Sequence, residues 1–231
     1  MDDPVVSVRG EAVLEVEPEI AQLAVAVGAR DKHRDDTLRR LDERSAAVLA
    51  LVESFGDAVE HVQTDRVRIG PEFKDGKPNE RISGYTAGIR HSLTVVGFTV
   101  LGDLVVRLAE LEMVDVDGPW WRLRPASTRY REARMAAARD AVTRAREYAE
   151  ALGSRLTALV ELADTGLMSE QVAPGGFPVA PAAAPMAMRS MASAPARPVT
   201  LDLEPVRQVV RANVEARFRM APPPEDRLQE H

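Results

Sequence analysis

Three methionines at close spacing are the residues of this chain best suited to bind or react with a ligand. They are Met186, Met188 and Met191, with Met168 upstream in the same proline-rich segment. Thioether sulfur is a soft ligand that suits Cu(I), and a flexible segment can fold around an ion without a preformed cage. Methionine also oxidises reversibly, so the same side chains could scavenge oxidant. The alternative, which we favour, is that they are adaptable apolar packing in a loop or an interface.

The histidines are the next candidates for a metal ligand or a general base. None of the four lies at zinc-ligand spacing from another, and the chain has no cysteine. His91 falls on the apolar face of an alternating segment, which predicts a hydrogen-bonded core histidine rather than a base. His33 belongs to the charge run at residues 31–36, which predicts a solvated turn before a helix.

No other segment of the sequence carries a catalytic or cofactor motif that we can identify. Residues 115–118 (Asp-Val-Asp-Gly) resemble the start of a calcium loop, but the glycine comes too early and Ala126 stands where that loop needs a glutamate. Trp120 and Trp121 are adjacent, and we expect one ring in the core and the other over a helix end or an interface. The sequence therefore predicts no catalytic residue and no cofactor. Scattered carboxylates are the only support for a hydrolase.

Composition and charge exclude several classes of protein. The chain has 231 residues, a net charge of -6 and no cysteine, which excludes disulfide scaffolds and thiolate chemistry. The acidic balance argues against a nucleic-acid partner, which is bound largely through its phosphates. No apolar run approaches the roughly 18 residues that span a bilayer, and residues 1–4 do not resemble the start of a signal peptide. We therefore expect a cytoplasmic protein with no membrane span.

Periodicity of the apolar residues predicts the elements that position these groups. Extended segments are predicted at 6–16, 23–27, 59–73, 89–95, 121–123, 156–162 and 210–220, and helices at about 38–55, 101–111 and 127–152. Pro18 separates the first two strands, which we expect to form a hairpin. Asp35 or Asp36 is the expected N-cap of the first helix, and Gly153 closes the longest. The longest helix carries a stripe of small and aromatic residues: Tyr130, Ala133, Ala137, Ala141, Ala145, Tyr148 and Leu152.

Strands that alternate, rather than running continuously apolar, indicate an α+β fold. We expect a largely antiparallel (mixed) sheet with helices packed on one face. We predict a single domain over residues 5–220, with a Pro/Ala/Met-rich insertion at 164–198 and a disordered tail at 221–231. Residues 207–220 are too apolar on one side to stand alone. They must therefore return, beyond the insertion, to the sheet that the N-terminal hairpin begins.

An ordered set of short motifs, over about residues 5–220, resembles the SIMPL domain family. In chain order the motifs are Val-Val-Ser-Val-Arg-Gly at 5–10, Glu-Pro-Glu-Ile-Ala at 17–21, Val-Gln-Thr at 62–64, Ile-Gly-Pro-Glu-Phe at 69–73, Ile-Ser-Gly-Tyr-Thr-Ala at 82–87, the alanine-rich helix from Glu132 to Ala149, and Met-Ala-Met-Arg at 186–189. Two positions depart from the family pattern: Ala12 replaces a second glycine, and Glu19 replaces the usual aspartate after proline.

The resemblance implies a non-enzymatic protein and makes homo-oligomerisation plausible. Bacterial members of the family include periplasmic antigens and proteins linked to oxidative-stress defence, and most carry an export signal. Our leading hypothesis is a self-assembling or partner-binding module with a role in stress response. Long one-faced strands, especially residues 207–220, would offer edges and faces for subunit contacts. The alternative hypothesis is a soft-metal (copper) or oxidant-binding protein that uses the methionine cluster.

Overall fold

The computed structural model describes residues 3–74, 82–164 and 201–224. Within them lie seven strands and three α-helices, which confirms the α+β class. In chain order these are β1 (Val5–Val16), β2 (Ile20–Asp31), α1 (Arg34–Glu53), β3 (Val59–Phe73), β4 (Ile82–Val95), α2 (Leu101–Ala109), β5 (Val114–Arg122), α3 (Thr128–Ala151), β6 (Leu156–Asp164) and β7 (Gln208–Met220). The strands form two antiparallel sheets in place of the one sheet predicted.

The chain divides into two compact units, each with its own sheet. The central unit comprises the described residues within Glu17–Arg124 and Ser193–Gln208. The terminal unit comprises those within Met1–Val16, Pro125–Ala192 and Val209–His231.

The predicted hairpin of the first two strands is wrong. β1 belongs to the sheet of the terminal unit and β2 to the sheet of the central unit. Pro18 does end the first strand. Alternation, however, identifies the buried face of a strand and does not identify the strand with which it pairs.

The central unit is a four-stranded antiparallel sheet in the order β3-β4-β2-β5. The odd-numbered residues of β2 from Ala21 to Ala29 share one face by alternation, and all of them are buried. They form a single core with Val48 of α1 and Leu104 of α2. Both helices therefore pack on one face of this sheet, as predicted.

Two local predictions in the central unit are wrong. His33, rather than Asp35 or Asp36, takes the N-cap position of α1, and the two aspartates lie in the first turn, where carboxylates favour the helix dipole. β5 begins at Val114, well before the predicted strand at 121–123, so residues 115–118 lie within a strand.

The two tryptophans occupy different environments. The ring of Trp121 meets that of Phe98 edge-on, with 4.9 Å between centroids, and packs against the core of the central unit. Trp120 is 43% exposed. The expectation of one tryptophan ring in the core is confirmed.

The terminal unit is a three-stranded sheet in the order β1-β7-β6. The backbone N–H of Met220 donates to the carbonyl of Pro4, and Arg9 forms an ion pair with Glu215. These two contacts show that β1 and β7 run antiparallel. The last strand thus joins the sheet that begins with β1, as predicted.

Helix α3 packs on the terminal sheet mainly through small residues, with the partly buried Val142 beside them. Its fully buried side chains are Ala133, Ala137, Ala141, Ala145 and Ala149. Gly10 of β1 lies directly against this stripe, so the two backbones approach closely. Tyr130 and Tyr148, which we predicted within the stripe, are exposed. Gly153 follows the end of the helix at φ +68°, as expected of a residue that closes it.

Candidate functional site

Strand β6 presents an apolar edge. It is an end strand of its sheet, and β7 is its only neighbour among the residues that the structure describes. Leu159, Val160 and Leu162 are 55%, 48% and 51% exposed. Leu159 and Leu162 pair with Phe218 and Ala216 of β7, so both belong to the sheet face that α3 covers, and Val160 falls in the register irregularity between them. The three side chains form an exposed apolar surface along the edge of β6.

The other end strands carry charges or prolines, which natural proteins use to discourage the addition of another strand. β5 contains Asp115, Asp117 and Pro119, and β1 contains three charged residues. The corresponding residues of β3 are Glu60, Asp65, Arg66, Arg68, Pro71 and Glu72. Register irregularities occur in both β3 and β6, so they do not distinguish the two edges.

Charge on β6 is sparse and partly neutralised. Before its last residue the strand carries one ionised group, Glu161. The Glu161 carboxylate lies 3.7 Å from the guanidinium of Arg217 on β7. Among the described end strands, β6 is therefore the one least protected against pairing with another strand.

His91 lies between α1 and the central sheet in a polar cluster whose histidine and serine are buried and whose threonine is exposed. Its Nε2 atom is 3.0 Å from the Ser45 hydroxyl on α1, and its Nδ1 atom is 3.2 Å from the Thr64 hydroxyl on β3. The ring is 2% exposed, which confirms the prediction of a hydrogen-bonded core histidine. Burial lowers the pKa of His91, and the negative charge of Asp65 opposes part of that shift.

The chemistry open to this cluster is limited by access. A serine beside a histidine can form a nucleophile and base pair, but Ser45 is itself 8% exposed. Both ring nitrogens of His91 already face hydroxyl groups. The cluster is therefore positioned to tie α1 to β3 and β4 through hydrogen bonds rather than to reach a substrate.

The predicted copper ligands Met186, Met188 and Met191 lie outside the described residues, so the copper site stays a prediction. Within the described ranges, no three histidine, cysteine, aspartate or glutamate side chains converge on a position that could hold a metal ion. In the same part of the chain, no helix is both long enough and apolar enough to cross a membrane.

This chain matches one known protein family. A family model named SIMPL, described as a protein of unknown function (DUF541), matches residues 6–218. The chain belongs to the SIMPL family. The match runs from β1 into β7 and confirms the resemblance seen in the sequence motifs. A search of curated proteins found no match.

In this SIMPL chain, the exposed strand edge is on β6 rather than on the predicted residues 207–220. β7 lies between β1 and β6, so both of its edges are paired. The alternation over residues 156–162 does not distinguish an edge strand from a central one. The sequence does show the adjacent apolar pair Leu159-Val160 and only one charged residue before the last residue of the strand. Few charges are what an edge strand open to pairing with another strand would show.

Proposed function

We propose that this protein is a non-enzymatic module that assembles with copies of itself, and that β6 of one copy pairs with β6 of another. The observation that carries the proposal is the apolar edge of β6. Its three large side chains are each about half exposed, and each would lose contact with water when a second strand is added. The role in stress response that belongs to this proposal is supported by the family resemblance alone.

A second copy of the same strand is the partner that fits this edge best. Two identical strands that pair antiparallel about a twofold axis cover both edges at once, which is the symmetry of the commonest homo-oligomers. Residues 157–160 are uncharged, and Glu161 already faces Arg217. Pairing of β6 with itself therefore brings no run of like charges together.

Val160→Lys tests the proposal without disturbing the sheet of the terminal unit. Val160 falls at a register irregularity between Leu159 and Glu161, so no β7 residue lies opposite it. A lysine there would place a charged ammonium group in the paired edge of each copy, and we expect association to weaken at least about tenfold. The measurement is the dissociation constant of the oligomer by sedimentation equilibrium.

The matched control is Val67→Lys. Val67 is the same residue type, is 54% exposed and lies on β3, which is also an end strand. We expect the Val67→Lys variant to associate like the unmodified protein. An unmodified protein that stays monomeric at every concentration, or two variants that dissociate equally, would refute assembly through β6.

A further inference from the structure

A cavity in the terminal unit lies between the C-terminal half of α3 and the first half of β6. Its volume is about 410 Å³, within the range of roughly 300–1,000 Å³ typical of small-molecule sites. The apolar part of its lining includes Val142, Leu156 and Phe218. Its polar groups are Arg146, Glu150, Arg155 and Thr157.

Two arginines give this cavity a positive balance within an acidic chain. Arg146 and Arg155 are exposed, and neither forms an ion pair with another residue that the structure describes. One carboxylate, that of Glu150, lines the cavity with them. A guanidinium presents several donors in a fixed plane, a geometry that matches a carboxylate.

We propose that this cavity binds an amphipathic anion of the medium-chain carboxylate class. Arg146 and Arg155 hold the carboxylate at the rim, and the hydrocarbon body lies on Val142, Leu156 and Phe218. Apolar lining with a few convergent polar groups is the usual pattern of a small-molecule site. Leu159, which belongs to the apolar edge of β6, also lines the cavity. Val160, at which self-assembly is tested, does not line it, and Arg146 and Arg155 lie outside β6, so this proposal does not rest on the assembly.

Isothermal titration of the full chain with three probes tests the class of ligand. Decanoate carries both the charge and the hydrocarbon body. Decyltrimethylammonium has the same chain length and the opposite charge, and acetate has the charge without the body. We expect decanoate to bind more tightly than either of the other probes. Equal binding of decanoate and decyltrimethylammonium would overturn the proposal.

Four variants locate the site. Arg146→Gln and Arg155→Gln should each weaken decanoate binding about fivefold to tenfold, because each removes one charged partner of the carboxylate. Glu150→Gln should strengthen it, because the carboxylate of Glu150 repels an anion. Arg134→Gln is the matched control, since Arg134 lines a separate cavity between α3 and β6, and it should leave the affinity unchanged.

The four substitutions are at exposed positions, so the far-ultraviolet circular dichroism spectrum of each variant should match that of the unmodified protein. Arg146→Gln and Arg155→Gln variants that bind decanoate like the unmodified chain would overturn the proposal, and so would an equal loss in Arg134→Gln. The Val160→Lys variant should bind decanoate normally, which separates a failure of this site from a failure of self-assembly.

Discussion

The contact between Gly10 and α3 leads to a quantitative prediction for Gly10→Ala. A Cβ atom at position 10 would lie 2.1 Å from the carbonyl oxygen of Ala137 and 2.5 Å from the backbone nitrogen of Ala141. Overpacking by a methyl group typically costs about 1–3 kcal/mol. Here the obstacle is the backbone of α3, which cannot rotate away as a side chain can. We therefore expect the free energy of unfolding to fall by about 3 kcal/mol or more.

Urea unfolding followed by far-ultraviolet circular dichroism measures this effect. The dependence of the free energy of unfolding on urea concentration should be the same in both variants, which shows that the same amount of surface is exposed on unfolding. Gly70→Ala is the matched control, because Gly70 lies on β3 and a Cβ there would meet no atom within 4 Å. We expect Gly70→Ala to change stability by less than about 1 kcal/mol, towards stabilisation, since alanine reduces the entropy of the unfolded chain. If Gly10→Ala unfolds like Gly70→Ala, the close packing of β1 on α3 is wrong.

Further predictions concern pH and metal. Because burial lowers the pKa of His91, its stabilising contribution is complete above the unfolded pKa of about 6.5 and falls as the pH drops below it, by at most about 1.4 kcal/mol per pH unit. Urea unfolding between neutral pH and about pH 5 measures how the free energy of unfolding changes with pH. The decrease that His91 causes should be absent in His91→Gln and present in His61→Gln, and an equal pH dependence in the two variants would contradict this prediction. The copper prediction is tested by replacing Met186, Met188 and Met191 with leucine. A Cu(I) titration should show that this variant binds copper more weakly than the unmodified protein, and identical affinity would exclude the copper site.

The sequence predicts elements in this chain better than it predicts which elements pair. Alternation identifies the buried face of β2 and β7, and helical spacing locates α1 and α3, because both patterns report on burial alone. The assignment of β1 and β2 to different sheets depends on contacts between residues distant in the sequence. The small stripe of α3 was predictable from its alanines, which recur at every fourth residue from Ala133 to Ala149. Tyr130 and Tyr148 fall outside that spacing and are exposed.

The candidate sites likewise combine features that local sequence patterns predict with contacts that they do not predict. His91 could be predicted as a core residue because its strand alternates, but its partners Ser45 and Thr64 come from elements far apart in the chain. The apolar residues of β6 are visible in the sequence, but their place at a sheet edge follows from the strand order, which no local pattern encodes. The cavity beside Arg146 exists because α3 and β6 meet in three dimensions, and no local pattern in the sequence indicates that residues of β6 line a cavity.

Hydrogen exchange of the backbone amides of residues 157–162, measured at low and high protein concentration, tests self-assembly most directly. If β6 pairs with β6 of another copy, protection of these amides rises with concentration, while the amides of β3 exchange at a rate that concentration does not change. The Val160→Lys variant should show no such rise. Amides of β6 that exchange equally fast at every concentration in the unmodified protein would contradict the proposed pairing.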